Sequence, residues 1–208
     1  MSTIRNIIFD MGGVILSLDR SKCVERFVEI GIKNANELLD EFHQKGLFLH
    51  IEDGSMNAED FRKELSKIAN RELSYEEIEY AWLGFIVDVP QYKLDYLSFL
   101  REKGFKVYLL SNTNPYVMNW VRSSRLTAAG KPLDAYMDHL FLSYEMKCVK
   151  PDPIIFQTML DSANIRAEES IFIDDSASNI ATATKMGFHA IHLATNADFR
   201  PEVEKMLE

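Results

Sequence analysis

Apolar residues along this chain fall either into short unbroken runs or into helical stripes, and the two kinds alternate. Five runs read as buried strands: Ile4 to Phe9, Lys106 to Leu110, His139 to Leu142, Ser170 to Ile173 and Phe188 to Leu193. They are rich in β-branched and aromatic residues, and polar residues or glycine close them. From the second run onward, helix-like stretches lie between them, over Pro90 to Lys103, Pro153 to Asn164 and Asn179 to Met186. This order predicts an α/β chain with right-handed crossovers and a parallel sheet covered on both faces.

The first connection breaks the rhythm. A long stretch separates Asp10 from the helix before the second strand, and most of it reads as helical. Asn57 precedes Ala58-Glu59-Asp60-Phe61, and Ser74 precedes Glu77 at capping-box spacing. Phe61, Leu65 and Ile68 share one predicted helical face. Residues 17–88 are therefore expected to form a helical insertion, with residues 1–16 and 89–208 as the core and Pro90 marking the boundary. Rooted beside the end of the first strand, such an insertion would sit over the crevice at the strand ends like a lid.

Composition adds bounds. A chain of 208 residues holds one sizeable core with room for a small accessory domain. A net charge of -9 disfavours nucleic acid or an anionic membrane as the main partner. No run approaches the ~18 apolar residues of a membrane span. Cys23 and Cys148 lack metal-ligand spacing and read as reduced thiols, which together with the absence of a leader pattern points to a cytoplasmic protein. The sequence leaves monomer and weak homodimer both open.

The candidate chemistry sits at the predicted strand ends, in Asp10-Met11-Gly12-Gly13-Val14, Ser111-Asn112-Thr113-Asn114, Lys150-Pro151-Asp152-Pro153 and Asp174-Asp175-Ser176-Ala177-Ser178-Asn179. Each alone has a plain structural use as a turn, a helix cap or a solvated lysine. All four at the carboxyl ends of one parallel sheet mark the crevice where such sheets bind ligands. Three carboxylates gathered there repel one another unless a cation sits among them, and a divalent metal answers that need. Gly12-Gly13 lacks the third glycine of a dinucleotide site and the Gly-Lys-Ser/Thr ending of a P-loop. The histidines His43, His50, His139, His189 and His192 show no shared ligand spacing, so zinc is not indicated.

In this order and spacing the four motifs resemble those of the haloacid dehalogenase-like (HAD) hydrolase superfamily, over nearly the whole chain. The resemblance implies a Rossmann-like core with an α-helical cap inserted after the first strand. Phe9-Asp10-Met11-Gly12-Gly13-Val14, Leu110-Ser111-Asn112-Thr113-Asn114 and Asp174 to Asn179 look most like bacterial α-glucose-1-phosphate phosphatases. That likeness implies a small phosphate ester as substrate and an aspartyl-phosphate formed on Asp10. It implies Mg²⁺ held by Asp10, the Gly12 carbonyl and Asp175, with Asp174 supporting a bound water or a ligand. Ser111 and Asn112 would donate to the phosphoryl oxygens, Lys150 would neutralise charge, and Asn179 would orient Asp175 or Lys150.

One position departs from the family pattern. Phosphoryl-transferring members usually carry a second aspartate two residues after the nucleophile as general acid and base, and here Gly12 stands there. Such a donor is typically worth ~10²–10⁴ in rate. Three outcomes are compatible with a glycine there. The chain is slow or inactive, or an insertion residue such as His50, Glu52 or Asp53 donates, or the leaving group is an acidic one such as an anomeric hydroxyl. The last favours anomeric and aryl phosphates over primary alkyl phosphates. Phe42, Phe48, His50, Trp82 and Phe85 are the insertion residues whose chemistry suits a sugar wall, although helix-spaced aromatics usually form core. A 2-haloacid dehalogenase would share the fold, nucleophile and lysine without needing the acidic pair, and a sugar-phosphate binder would keep the pocket without turnover.

Overall fold

The computed structural model describes residues 3–40 and 43–208. Its main sheet has five parallel strands: β1 (Asn6–Phe9), β4 (Lys106–Ser111), β5 (His139–Leu142), β6 (Ser170–Asp174) and β7 (His189–His192), in the order β5-β4-β1-β6-β7. All five sequence-predicted strands are present, and β4 and β6 each run one residue further, to Ser111 and Asp174. A separate antiparallel ribbon pairs β2 (Ser17–Leu18) with β3 (Ile86–Asp88), which the apolar pattern did not anticipate.

Alternation along the central strands feeds two cores at once. Ile7, Phe9, Val107, Leu109, Ile171 and Ile173 face one cluster, while Ile8, Tyr108, Leu110 and Phe172 face the other. This is why the strands read as unbroken apolar runs: a parallel sheet has no solvent face to record as a polar alternation. The helices α1 (Arg20–Glu29), α2 (Ala35–Leu38), α3 (Leu47–Glu52), α4 (Ala58–Ala69) and α5 (Tyr75–Trp82) lie between β2 and β3 in sequence. The core adds α6 (Gln91–Glu102), α7 (Pro115–Val121), α8 (Ser143–Met146), α9 (Pro153–Ala163), α10 (Ala177–Lys185) and α11 (Arg200–Leu207). Leu94, Leu97 and Leu100 of α6 and Val203 of α11 cover the first face; Ile155, Phe156 and Met159 of α9 and Ala183 of α10 cover the second.

Helix ends follow their local chemistry. Asn57 caps α4 by accepting from the Asp60 N–H at 2.9 Å. Ser74 and Glu77 close a reciprocal capping box, at 3.1 and 2.8 Å, before α5. Asn114 accepts from the Tyr116 and Val117 N–H groups and Pro115 follows it, so α7 carries a start signal that the apolar pattern passed over.

Helices α1 to α5 bury their own cluster, in which Phe27, Phe48, Phe61 and Trp82 meet edge to face or tilted with centroids 4.9–6.3 Å apart. Phe48 belongs to this interior and not to a ligand wall. Ile68 is about half exposed, against the expectation that it shares the buried face of Phe61 and Leu65, because the packed stripe of α4 continues through Ala69 and leaves Ile68 on its flank. Phe42 lies outside the described residues. Tyr116 of α7 enters this cluster and donates to the Ala58 carbonyl at 2.7 Å. Glu79 of α5 accepts a two-pronged pair from Arg125 at 2.8 and 2.9 Å and an Asn119 amide proton at 2.6 Å. Among the described residues no helix is long and apolar enough to cross a membrane.

These environments predict a sharp contrast in chemical denaturation. Phe61→Ala is expected to cost about 3–5 kcal/mol, whereas Ile68→Ala, on the exposed flank of the packed stripe, stays within about 0.5 kcal/mol of the parent. Equal losses would contradict the burial described above.

Candidate active site

Strand β1 is the point where the sheet order reverses, with β4 and β5 on one side and β6 and β7 on the other. Phe9 pairs with Leu109 and with Ile173, and the Asp10 N–H continues that ladder to the Ile173 carbonyl at 2.9 Å. Backbone register therefore sets Asp10 level with Leu110, one residue before Ser111, on one side and with Asp174 of the acidic pair on the other. One carboxylate oxygen from each of Asp10, Asp174 and Asp175 lies within 4.8 Å of the others. Lys150, almost fully buried, donates from Nζ to Asp10 Oδ1 at 2.8 Å and to Asp174 Oδ2 at 2.7 Å.

Three carboxylates against one ammonium leave a formal charge of -2 in this pocket. Burial pushes the Asp10 carboxyl up to about 7, with Asp174 and Asp175 adding to the rise and Lys150 opposing it. Burial also raises Asp175, against a Thr195 hydrogen bond and with help from Asp174. Burial alone would lower Lys150, but Asp10 and Asp174 outweigh it and hold the ammonium charged. The cluster is thus short of positive charge and supplies only oxygen donors, with the Gly12 backbone on the same cavity wall. These residues fit a hard divalent cation.

The supporting shell is specific. Asn179, in the first turn of α10, donates from Nδ2 to both Asp174 oxygens at 3.0 Å, and the Ser176 N–H adds a third bond at 2.8 Å. Asn179 therefore orients Asp174, and not Asp175 or Lys150 as expected, because α10 turns back over the end of β6. Asn112 and Lys150 clasp each other: the Asn112 amide donates to the Lys150 carbonyl at 2.9 Å and accepts the Lys150 N–H at 2.8 Å. That leaves one Asn112 amide proton for a ligand oxygen. Buried Ser111 ends β4, and among the described residues its hydroxyl donates only to the neighbouring Asn112 carbonyl, at 3.3 Å.

Several participants escaped the sequence reading. Gly13 holds φ +71°, and an added Cβ would lie 2.1 Å from Asp175 Oδ2, so only glycine lets this carboxylate approach the backbone. Adjacent Gly-Gly after a strand signals the turn but not that approach. Lys93 of α6 is wholly buried and donates to the Val14 carbonyl at 2.6 Å, pinning the loop behind Asp10. A lysine in an amphipathic helix gives no sequence signal of such burial. Thr113 Oγ1 and Trp82 Nε1 are buried without a partner among the described residues, and both residues line the cavity. Leu18, Arg20, Gln44, Glu52, Phe85 and Ile86 complete the wall that residues 17–88 contribute, whereas His50 and Asp53 do not line it. His192 contacts the Asp175 carbonyl at 3.1 Å and has a structural place.

A family profile described as haloacid dehalogenase-like hydrolase matches residues 4–187. The chain is 44% identical over 204 residues to D-ribitol-5-phosphate phosphatase of Bacteroides thetaiotaomicron, covering 98% of each. It superimposes with a TM-score of 0.94 and 39% identity on a HAD-like family hydrolase from Porphyromonas gingivalis, over 100% of this chain and 99% of that one. With a TM-score of 0.86 and 37% identity it matches a HAD family enzyme of Bacteroides thetaiotaomicron in complex with magnesium and inorganic phosphate, over 96% and 98% of the two chains. Profile, relatives and strand-end cluster agree, and this chain belongs to the haloacid dehalogenase-like hydrolase family.

Proposed function

We propose that this hydrolase is a magnesium-dependent phosphatase that releases phosphate from a small phosphorylated sugar alcohol or sugar, with Asp10 as nucleophile. The observation that carries this reading is the buried Lys150 ammonium wedged between Asp10 and Asp174, with Asp175 beside them and a net negative charge left over. In this reading residues 17–88 serve as the cap and residues 1–16 with 89–208 as the catalytic core.

The Asp10 carboxylate attacks phosphorus, the bond to the alcohol oxygen breaks, and water then cleaves the aspartyl-phosphate to regenerate Asp10. Asp10, the Gly12 carbonyl and Asp175 would hold magnesium, with Asp174 supporting, and the bound ion supplies charge that offsets the phosphoryl oxygens. Lys150 holds its proton and presents positive charge beside the reacting carboxylate. Ser111 and the free Asn112 amide proton serve as donors to the phosphoryl group. Asn179 keeps Asp174 turned toward Lys150.

The relative named D-ribitol-5-phosphate phosphatase turns the substrate expectation away from α-glucose-1-phosphate and toward a phosphate on a primary alcohol. The wall of the cavity suits a polyol. Trp82 Nε1 and Thr113 Oγ1 are buried hydrogen-bonding groups with no protein partner among the described residues, and substrate hydroxyls would satisfy them.

Phosphate release from D-ribitol-5-phosphate is expected to exceed that from α-glucose-1-phosphate, to vanish with a chelator and to return with magnesium; metal-independent release of halide from a 2-haloacid would instead favour the dehalogenase reading. Asp10→Asn should lower kcat by about 10⁴–10⁶, and a variant retaining full turnover would remove Asp10 as nucleophile. Lys150→Met should lower kcat by about 10²–10³, read in the same phosphate-release assay.

A further inference from the structure

A phosphate ester of a primary alcohol has a basic leaving oxygen, and Gly12 has no side chain to protonate it. The structure offers another acid in the same cavity. Glu52 is the last residue of α3, its side chain is buried, and it lines the pocket that holds Asp10 and Lys150. It makes no hydrogen bond or ion pair with any described residue, and it stands outside the close group of Asp10, Asp174 and Asp175. A carboxyl without a partner, enclosed in a catalytic cavity but away from the cation-binding oxygens, is free to address a substrate atom.

Its position is fixed from outside the cavity. Gly54, two residues on, holds φ +69°, and a Cβ there would lie 2.1 Å from the Tyr144 carbonyl, so the turn after α3 packs directly on the core. Lys147 Nζ closes the contact by donating to the Gly54 carbonyl at 2.5 Å. The two other acids or bases near this turn are placed elsewhere: His50 is exposed, and Asp53 accepts the Ser55 N–H at 2.8 Å.

Resting on the phosphatase reading above, we infer that Glu52 is the general acid of this enzyme and takes the part that an aspartate at position 12 would play. As the Asp10 oxygen bonds to phosphorus and the phosphorus–alcohol bond breaks, the Glu52 proton passes to the departing alkoxide oxygen. The resulting Glu52 carboxylate then takes a proton from the water that attacks the aspartyl-phosphate, which restores the acid and releases phosphate. The charge environment supports this cycle. Burial, with Asp10 and Asp53 adding to it and Lys150 opposing, pushes the Glu52 carboxyl up to about 8, so it carries a proton at neutral pH.

The test is the leaving-group dependence of kcat/KM, measured on the full chain with magnesium over a series of substituted phenyl phosphates from phenyl to 4-nitrophenyl. These probes share a shape and carry no hydroxyls, so loss of a polyol contact does not register. Glu52→Gln should lose about 10²–10⁴ on the most basic leaving group and less than about fivefold on 4-nitrophenyl phosphate, whose phenolate departs unaided. Glu52→Ala is the second variant, read by the same slope. A steeper slope in either folded variant supports the assignment; a parallel loss across the series, or unchanged rates, overturns it. A parent enzyme that releases no phosphate from any member of the series or from D-ribitol-5-phosphate defeats the phosphatase reading itself, which is a different result.

Discussion

A single buried ammonium organises the catalytic end of this molecule. Lys150 Nζ spans Asp10 and Asp174, two carboxylates that arrive from adjacent strands and would repel each other without it. Removing one member of such a buried set typically costs 3–5 kcal/mol, because the remaining charge is left uncompensated. The surrounding structure is built to keep that ammonium in place. Asn112 holds its backbone with two hydrogen bonds, Phe172 lies beneath it with the ring centroid 5.6 Å from Nζ, and Asn179 holds Asp174 facing it. Neutralisation is deliberately incomplete: Lys150 is enough to let the carboxylates coexist and too little to satisfy them, which leaves the pocket receptive to a divalent ion.

Much of this was legible in the chain because buried parallel strands write themselves as unbroken apolar runs. Phe9-Asp10 and Ile173-Asp174 place a carboxylate where a core would reject it, so the site announced itself through local contradiction. Other features depend on contacts that sequence does not record. Strands β2 and β3 are two and three residues long and exist only because they find each other. Ile68 satisfies a helical spacing from Leu65, but the packed stripe of α4 runs through Ala69 instead. Gly13 is obligatory because of where Asp175 Oδ2 lies, and Asn179 serves Asp174 because of how α10 turns back over β6. Lys93 and Glu52 are ordinary surface residue types whose burial is decided by tertiary packing alone.

Two kinds of recognition divide the cavity. In the proposed reading the strand ends offer charge and fixed donors to a phosphoryl group. The wall supplied by residues 17–88 is mixed: Trp82 and Phe85 give aromatic surface, while Gln44, Arg20 and Glu52 give polar groups. Arg20 is partly occupied, donating to the Leu39 carbonyl at 2.7 Å and to Asn36, so it shapes the mouth more than it offers a free charge.

The ribbon of β2 and β3 sets how freely this chain's helical segment could be exchanged. Ser17 pairs with Asp88, so the whole helical segment leaves and re-enters the sheet domain at one place. A loop whose ends already meet can change length cheaply, each doubling costing only about 0.6 kcal/mol in closure entropy. The scaffold would therefore accept a foreign segment grafted at that neck. With the proton donor carried on the segment and a glycine at position 12, however, a graft would inherit the phosphate cradle and forfeit the acid. With Glu52 as the acid, selectivity and reactivity are yoked in this chain, and one could be traded for a new version only by rebuilding the other.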